Sequence, residues 1–114
     1  METTADVINQ ALDAPMSELR EIWMSSLDDL ATLAVGLTDE QWNASTGCPG
    51  WTAGDVVAHV VGLEAELHGD PAPDYTPDWD SLPLVTTPFA QYFELPVDYR
   101  RSHTQSDVVT ELRE

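Results

Sequence analysis

The chain has 114 residues, a length for one small domain, and 42% apolar residues with four Trp are enough to pack a core. Its charge is one-sided: 21 Asp and Glu stand against four Arg and no Lys, a formal net charge of -17 at pH 7. Binding a phosphate backbone or an anionic membrane needs clustered cations, so both nucleic acid and membrane are excluded as partners.

The opening stretch, METTADVINQALDAP, is acidic and lacks the basic-then-apolar order of a signal peptide. A first helix is expected from Pro15 or Ser17 to about Leu37. Leu19, Ile22, Trp23, Leu27, Leu30, Leu33, Ala34 and Leu37 recur at three- and four-residue steps, the period of one helical stripe. Glu18 and Glu21 suit its start, where the helix dipole favours negative charge. Thr38 to Trp42 reads as a short turn of helix, with Thr38 and Gln41 forming a capping box and Trp42 tucked against the first helix. Asn43 to Gly50 is loop by composition.

Thr52 followed by Asp55 has the spacing of a second capping box and opens a helix over about Ala53–His68, which Gly69 stops. Val56, His59, Val60, Leu63 and Leu67 share one face, so His59 is expected to face inward. Residues 69–88 form a connection rich in proline: Pro71, Pro73, Pro77, Pro83 and Pro88. Connections of that length are uncommon and often functional. Phe89–Arg101 is expected as a partial helix interrupted near Pro96. Thr104 or Ser106 then opens a last helical segment that has barely begun at Glu114.

The fold class that follows is all-α: an incomplete four-helix bundle with two long helices, a Pro-rich connection and the start of a third helix. Residues 1–114 are read as one partial bundle domain. Such a set does not enclose a core, so the chain is either cut from a longer protein or completed by a second copy. Self-repulsion of like-charged copies favours the first. Cys48 is the single cysteine, which excludes an intramolecular disulfide and fits a reducing, cytoplasmic setting.

Leu37-Thr38-x-x-Gln41-Trp42, then Cys48-Pro49-Gly50-Trp51-Thr52, then Asp55-Val56-Val57-x-His59-Val60, resembles the N-terminal metal-binding domain of mycothiol-dependent maleylpyruvate isomerase. That family belongs to the DinB-like four-helix bundles, with helices running up, down, down and up. The match centres on Leu33–Glu66, with a weaker one at Asp98–Glu114. The resemblance implies a divalent metal, zinc first, near one end of the bundle core, with His59 matching the ligand on the second helix. The remaining ligands would come from a later helix; His68 and His103 do not sit at matching positions. The resemblance also implies mycothiol or a similar thiol as cofactor and a small electrophilic substrate.

Read from the residues alone, His59 has a plainer role as a core imidazole whose nitrogens bond to a carbonyl or carboxylate. Trp42 and Trp51 read as staples of a loop to the core, Asp55 as a cap and His68 as a surface residue. Cys48 has no neighbouring base or cation to lower its pKa and is not read as a nucleophile. His103 lies in a loop, Glu64 offers weak support to His59, and Asp70, Asp74, Asp78 and Asp80 read as a solvated loop. Two functions are open. One is a metalloenzyme acting through a metal-activated thiol; a metal-dependent hydrolase would be its variant. The other is a non-catalytic interaction module that docks a partner or a second copy through exposed helix faces.

Overall fold

The computed structural model describes residues 3–7 and 15–113, so much of the acidic N-terminal stretch lies outside the described residues. Five helices follow one another: α1 Met16–Val35, α2 Asp39–Trp42, α3 Ala53–Leu67, α4 Pro88–Arg100 and α5 Gln105–Arg113. A 3-10 turn at Trp79–Ser81 punctuates the connection between α3 and α4, and residues 4–7 are helical. The architecture is all-α, as expected.

One device starts several of these helices. Thr38 Oγ1 accepts from the Gln41 N–H at 3.1 Å while Gln41 Oε1 accepts from the Thr38 N–H at 2.9 Å. Thr52 and Asp55 repeat the box ahead of α3, and Thr104 and Asp107 repeat it ahead of α5. Thr87 accepts from the Ala90 N–H, and Pro88 supplies a first helical residue that needs no N–H partner. Each cap satisfies backbone donors that a helix end leaves open, a contribution of about 1 kcal/mol. At the other end of α1, the Gln105 side-chain amide reaches across from α5. It donates to Ala34 O at 2.6 Å and Leu37 O at 3.0 Å.

The core is built from small aliphatics where α1, α3 and α5 meet: Ala31, Ala34, Val57, Val61, Val108, Val109 and Leu112. Leu27, Leu30, Trp42 and Val60 pack around it. Close approach is licensed by two glycines of α3. A Cβ on Gly54 would lie 2.4 Å from the Trp42 indole, and one on Gly62 would lie 2.8 Å from Pro96 Cβ. Trp42 therefore sits on the first turn of α3 as well as near α1, and Pro96 seats α4 on the middle of α3.

The structure departs from the expected pattern in three places. First, α4 runs unbroken through Pro96. The proline ring occupies the notch at Gly62, and Arg100 Nη1 donates to the Pro96 carbonyl at 3.0 Å, so packing outweighs the lost ladder bond. Second, the buried face of α3 is Gly54, Asp55, Val57, Ala58 and Val61. It is turned by roughly 170° from the face that holds Leu63 and Leu67, and those two leucines are exposed. The small residues carry the contacts, so a reading weighted by side-chain size chose the wrong side. Third, the stripe on α1 is covered only in part. A nine-residue α5 is about 14 Å long against about 30 Å for α1. It reaches the Leu27–Ala34 end, while Ile22 and Trp23 remain about half exposed and Leu33 lies on the uncovered side.

Candidate functional site

The segment Cys48-Pro49-Gly50-Trp51 makes a tight turn. The Trp51 N–H donates to Cys48 O at 3.1 Å, and Gly50 takes φ 79°, a conformation open to glycine. Pro followed by Gly is the signature of a type II turn, which fixes both central residues. Thr46 clamps it: its hydroxyl donates to Trp51 O at 2.9 Å and accepts from the Cys48 N–H at 3.1 Å. Thr52 then caps α3. The motif thus delivers Trp51 at a set position beside the first two turns of that helix.

His59 stands there, with its ring centroid 5.0 Å from that of Trp51 and 5.7 Å from that of Phe93 on α4. It is half-buried at the side of α3, not sunk in the core as expected. Burial alone pushes its pKa below the ordinary imidazole value; no charge or hydrogen bond contributes. The ring is therefore neutral at pH 7; its N–H donates to no carboxylate or carbonyl among the described residues, and its lone pair is left open to a ligand. The plainer reading of His59 as a hydrogen-bonded core imidazole does not hold.

Beside this stack lies a charge cluster that holds the loop to α4. The Trp51 indole N–H donates to Glu94 Oε2 at 2.7 Å. Arg101, at the end of α4, pairs with Glu94 at 2.6 Å, Asp98 at 2.7 Å and Asp55 at 3.3 Å. Burial opposes the charge on Arg101, but the hydrogen bonds to Asp98 and Glu94 and the charges of Asp55 and Glu94 outweigh it and raise its pKa. Asp55 is thus both a cap and an ion-pair partner. The Tyr75 hydroxyl donates to Asp98 at 2.6 Å, which ties the Pro-rich connection onto α4.

On the other side of His59 a cleft of about 510 Å³ opens between α3, α4 and the start of the connection. Phe93, Tyr92, Tyr99, Leu63, Pro71 and Pro96 give it aromatic and aliphatic walls. Glu66 and Asp70 stand at its edge, and Tyr92 donates its hydroxyl to Glu66, which raises the phenol's pKa. Arg100 and Glu111, also in its lining, form a two-pronged ion pair at 2.7 and 2.9 Å.

A metal at His59 needs partners. Among the described residues no three His, Cys, Asp or Glu side chains gather where a metal ion could be held. His59 offers one donor, and the described residues do not make a metal site by themselves. His68 is the exposed C-cap of α3, and His103 packs its ring on Tyr99 at 4.9 Å; neither lines the cleft. Glu64 accepts from the Trp23 indole at 3.1 Å, a contact between α3 and α1. Cys48 is exposed, as are Asp74, Asp78 and Asp80, whereas Asp70 reaches the cleft.

The reading from sequence missed Glu94, Asp98 and Arg101, and with them Tyr92, Phe93 and Tyr99. A signal was present. Glu94, Asp98 and Arg101 stand at steps of four and three, one face of a helix, but the assumed break at Pro96 hid that register. No helix among the described residues is long and apolar enough to cross a membrane. Comparison with curated proteins returns no match, and neither does comparison with solved structures. A family model does match: the mycothiol maleylpyruvate isomerase N-terminal domain, over residues 9–114. With nearly the whole chain matched, and its Pro-Gly-Trp-Thr turn and α3 histidine inside the matched span, the chain belongs to the mycothiol maleylpyruvate isomerase N-terminal domain family.

Proposed function

We propose that this chain is the thiol- and metal-handling domain of a mycothiol-dependent, maleylpyruvate isomerase-like enzyme, with His59 one donor to a divalent metal, zinc first. The observation that supports this reading is the state of His59. It is neutral, carries no hydrogen bond to a carboxylate or carbonyl among the described residues, and stands at a cleft of small-molecule size. Neutral imidazole is the form that binds zinc and its neighbours in the transition series.

The remaining donors have to come from elsewhere than the described residues, so no chemical step is routed through the metal here. What the chain's own residues do is positional. The Pro49-Gly50 turn sets Trp51 against one side of the imidazole, Phe93 of α4 meets it from another, and Glu94, paired with Arg101, ties Trp51 to α4. An imidazole held this way changes orientation little when a ligand arrives. The cleft beside it would take the thiol and a small electrophile.

A second reading, an interaction module, draws on a different observation: Ile22, Trp23, Leu63 and Leu67 are exposed apolar side chains on α1 and α3. One experiment separates the two. The natural protein is supplied with mycothiol and maleylpyruvate, and isomerisation is followed spectroscopically for the wild type and for His59→Ala. The enzyme reading expects turnover in the first and its loss in the second with the fold intact. Equal turnover in both removes His59 from the reaction, and none in either leaves the module.

A further inference from the structure

We propose that residues 70–75, the first part of the proline-rich connection, form a strap over the cleft between α3 and α4, and that Tyr75 latches this strap shut on α4. The inference rests on the reading of that cleft as the ligand site and adds how access to it is controlled. Asp70, Pro71, Ala72 and Pro73 line the cleft together with His59. One wall of the site therefore belongs to a loop, while the others belong to two packed helices.

That wall has few ties of its own. Gly69, where α3 stops, takes φ 80°, and a Cβ there would meet nothing within 4 Å. At the other end Pro77 is buried. Between these two points Pro71 and Pro73 have no N–H to give. The Tyr75 N–H donates to Pro73 O, a bond within the strap itself. Among the described residues no backbone hydrogen bond joins residues 71–76 to α3 or α4. A segment with so few bonds to its neighbours opens locally while the core stays closed.

The side chain of Tyr75 supplies the tie that the backbone lacks. Its hydroxyl donates to Asp98 Oδ2 at 2.6 Å, and its ring meets Tyr99 edge-on with centroids 5.6 Å apart. Asp98 is held in turn, because its Oδ1 takes Arg101 at 2.7 Å. The latch thus closes on a carboxylate that is already fixed to α4. Pro71 and Pro73 keep the strap extended and stiff. Release of one side chain then lets the whole wall swing about Gly69, which opens the way to His59.

Access is read with a thiol placed under the strap. In the natural protein Cys48→Ser removes the exposed native thiol, and Ala65→Cys adds one at a position that lines the cleft. Its alkylation by iodoacetamide, an uncharged reagent, is followed by intact mass in buffer and in urea, and the ratio of the two rates is the protection. With Tyr75 in place the protection should be at least about tenfold. Tyr75→Phe keeps the ring and should lower it about fivefold, the loss of one hydrogen bond to a partly exposed carboxylate. Tyr75→Ala should lower it further. Ser81→Ala removes a hydrogen bond in a part of the connection that does not line the cleft and should change little. Circular dichroism confirms that each variant is folded. The proposal is overturned if the thiol reacts in buffer as fast as in urea, if both Tyr75 variants keep full protection, or if Ser81→Ala lowers it as much as Tyr75→Phe. No metal, mycothiol or substrate enters the assay, so its failure is separate from failure of the proposed function, which metal content and turnover decide.

Discussion

Gly54→Ala is expected to destabilise the chain although alanine is the better helix former. Gly54 is the second residue of α3, where the gain in helix propensity is below about 1 kcal/mol. Against it stands the Trp42 indole. The new Cβ would lie 2.4 Å from Cε2 and Nε1 and 2.9 Å from Cδ2. Ordinary carbon contacts lie at about 3.5–4.0 Å, so the ring has to retreat by about 1 Å. It is not free to do so without opening the core, because it packs against the cluster of Ala31, Ala34 and Val57. Overpacking of this kind costs about 1–3 kcal/mol, which leaves a net loss of roughly 1–2 kcal/mol. Urea unfolding followed by far-UV circular dichroism measures it without relying on Trp fluorescence. The cause is isolated by repeating the substitution in a Trp42→Leu background. There the clash is gone, and Gly54→Ala should turn neutral or favourable, a coupling of about 1–2 kcal/mol between the sites. Gly47→Ala, with nothing within 4 Å, serves as the control. A Gly54→Ala protein as stable as wild type, or the same loss in both backgrounds, would refute the contact as the reason for the glycine.

Arg101→Met leaves Glu94, a buried carboxylate, without its cation and should cost about 2–3 kcal/mol in urea unfolding; partial exposure of the guanidinium keeps the figure below that of a fully buried pair. Gln105→Ala removes bonds to the Ala34 carbonyl in the last turn of α1 and to the Leu37 carbonyl just beyond it and should cost about 1–2 kcal/mol, with faster amide exchange at the end of that helix. The folded pKa of His59 lies below its unfolded value of 6.5, so its neutral form contributes stability that is full above pH 6.5 and lost as pH falls through the folded pKa. His59→Gln should therefore flatten the stability profile between about pH 7 and pH 5 relative to wild type; parallel profiles would contradict the burial assigned to the ring. Raising KCl to about 2 M should raise Tm by about 5 °C or more, since screening relieves the repulsion of a chain at -17; a salt-independent Tm would show that the charges are already far enough apart.

Much of the fold was legible because the caps are local. Thr38 with Gln41 and Thr52 with Asp55 follow from residues three apart, and both boxes are present; of the two starts offered for the last helix, Thr104 is the cap, in a box with Asp107. The Pro49-Gly50 turn and the stop at Gly69, φ 80°, are local in the same sense. What failed depended on tertiary neighbours. Which side of α3 is buried was decided by Gly54, Ala58 and Gly62, whose lack of bulk admits Trp42 and Pro96; no period of large apolar residues reveals that. Pro96 reads as a helix breaker until its ring is seated on Gly62. The candidate site was legible at Trp51 and His59 because the turn and the cap fix them. Its α4 half was not, because Glu94, Asp98 and Arg101 form one row only when the helix runs through the proline. The chain meets its shortage of cations in a way that composition does not announce. Trp23, Trp51, Tyr75 and Tyr92 give their polar hydrogens to Glu64, Glu94, Asp98 and Glu66.

The most direct test of His59 as a metal donor is metal content. The natural protein is purified without chelator, dialysed, and measured by elemental mass spectrometry beside His59→Ala, with circular dichroism to confirm that both are folded. The account predicts close to one divalent ion per chain in the wild type and almost none in the variant. Equal metal in the two, or none in the wild type, would contradict it and return His59 to a packing role between Trp51 and Phe93.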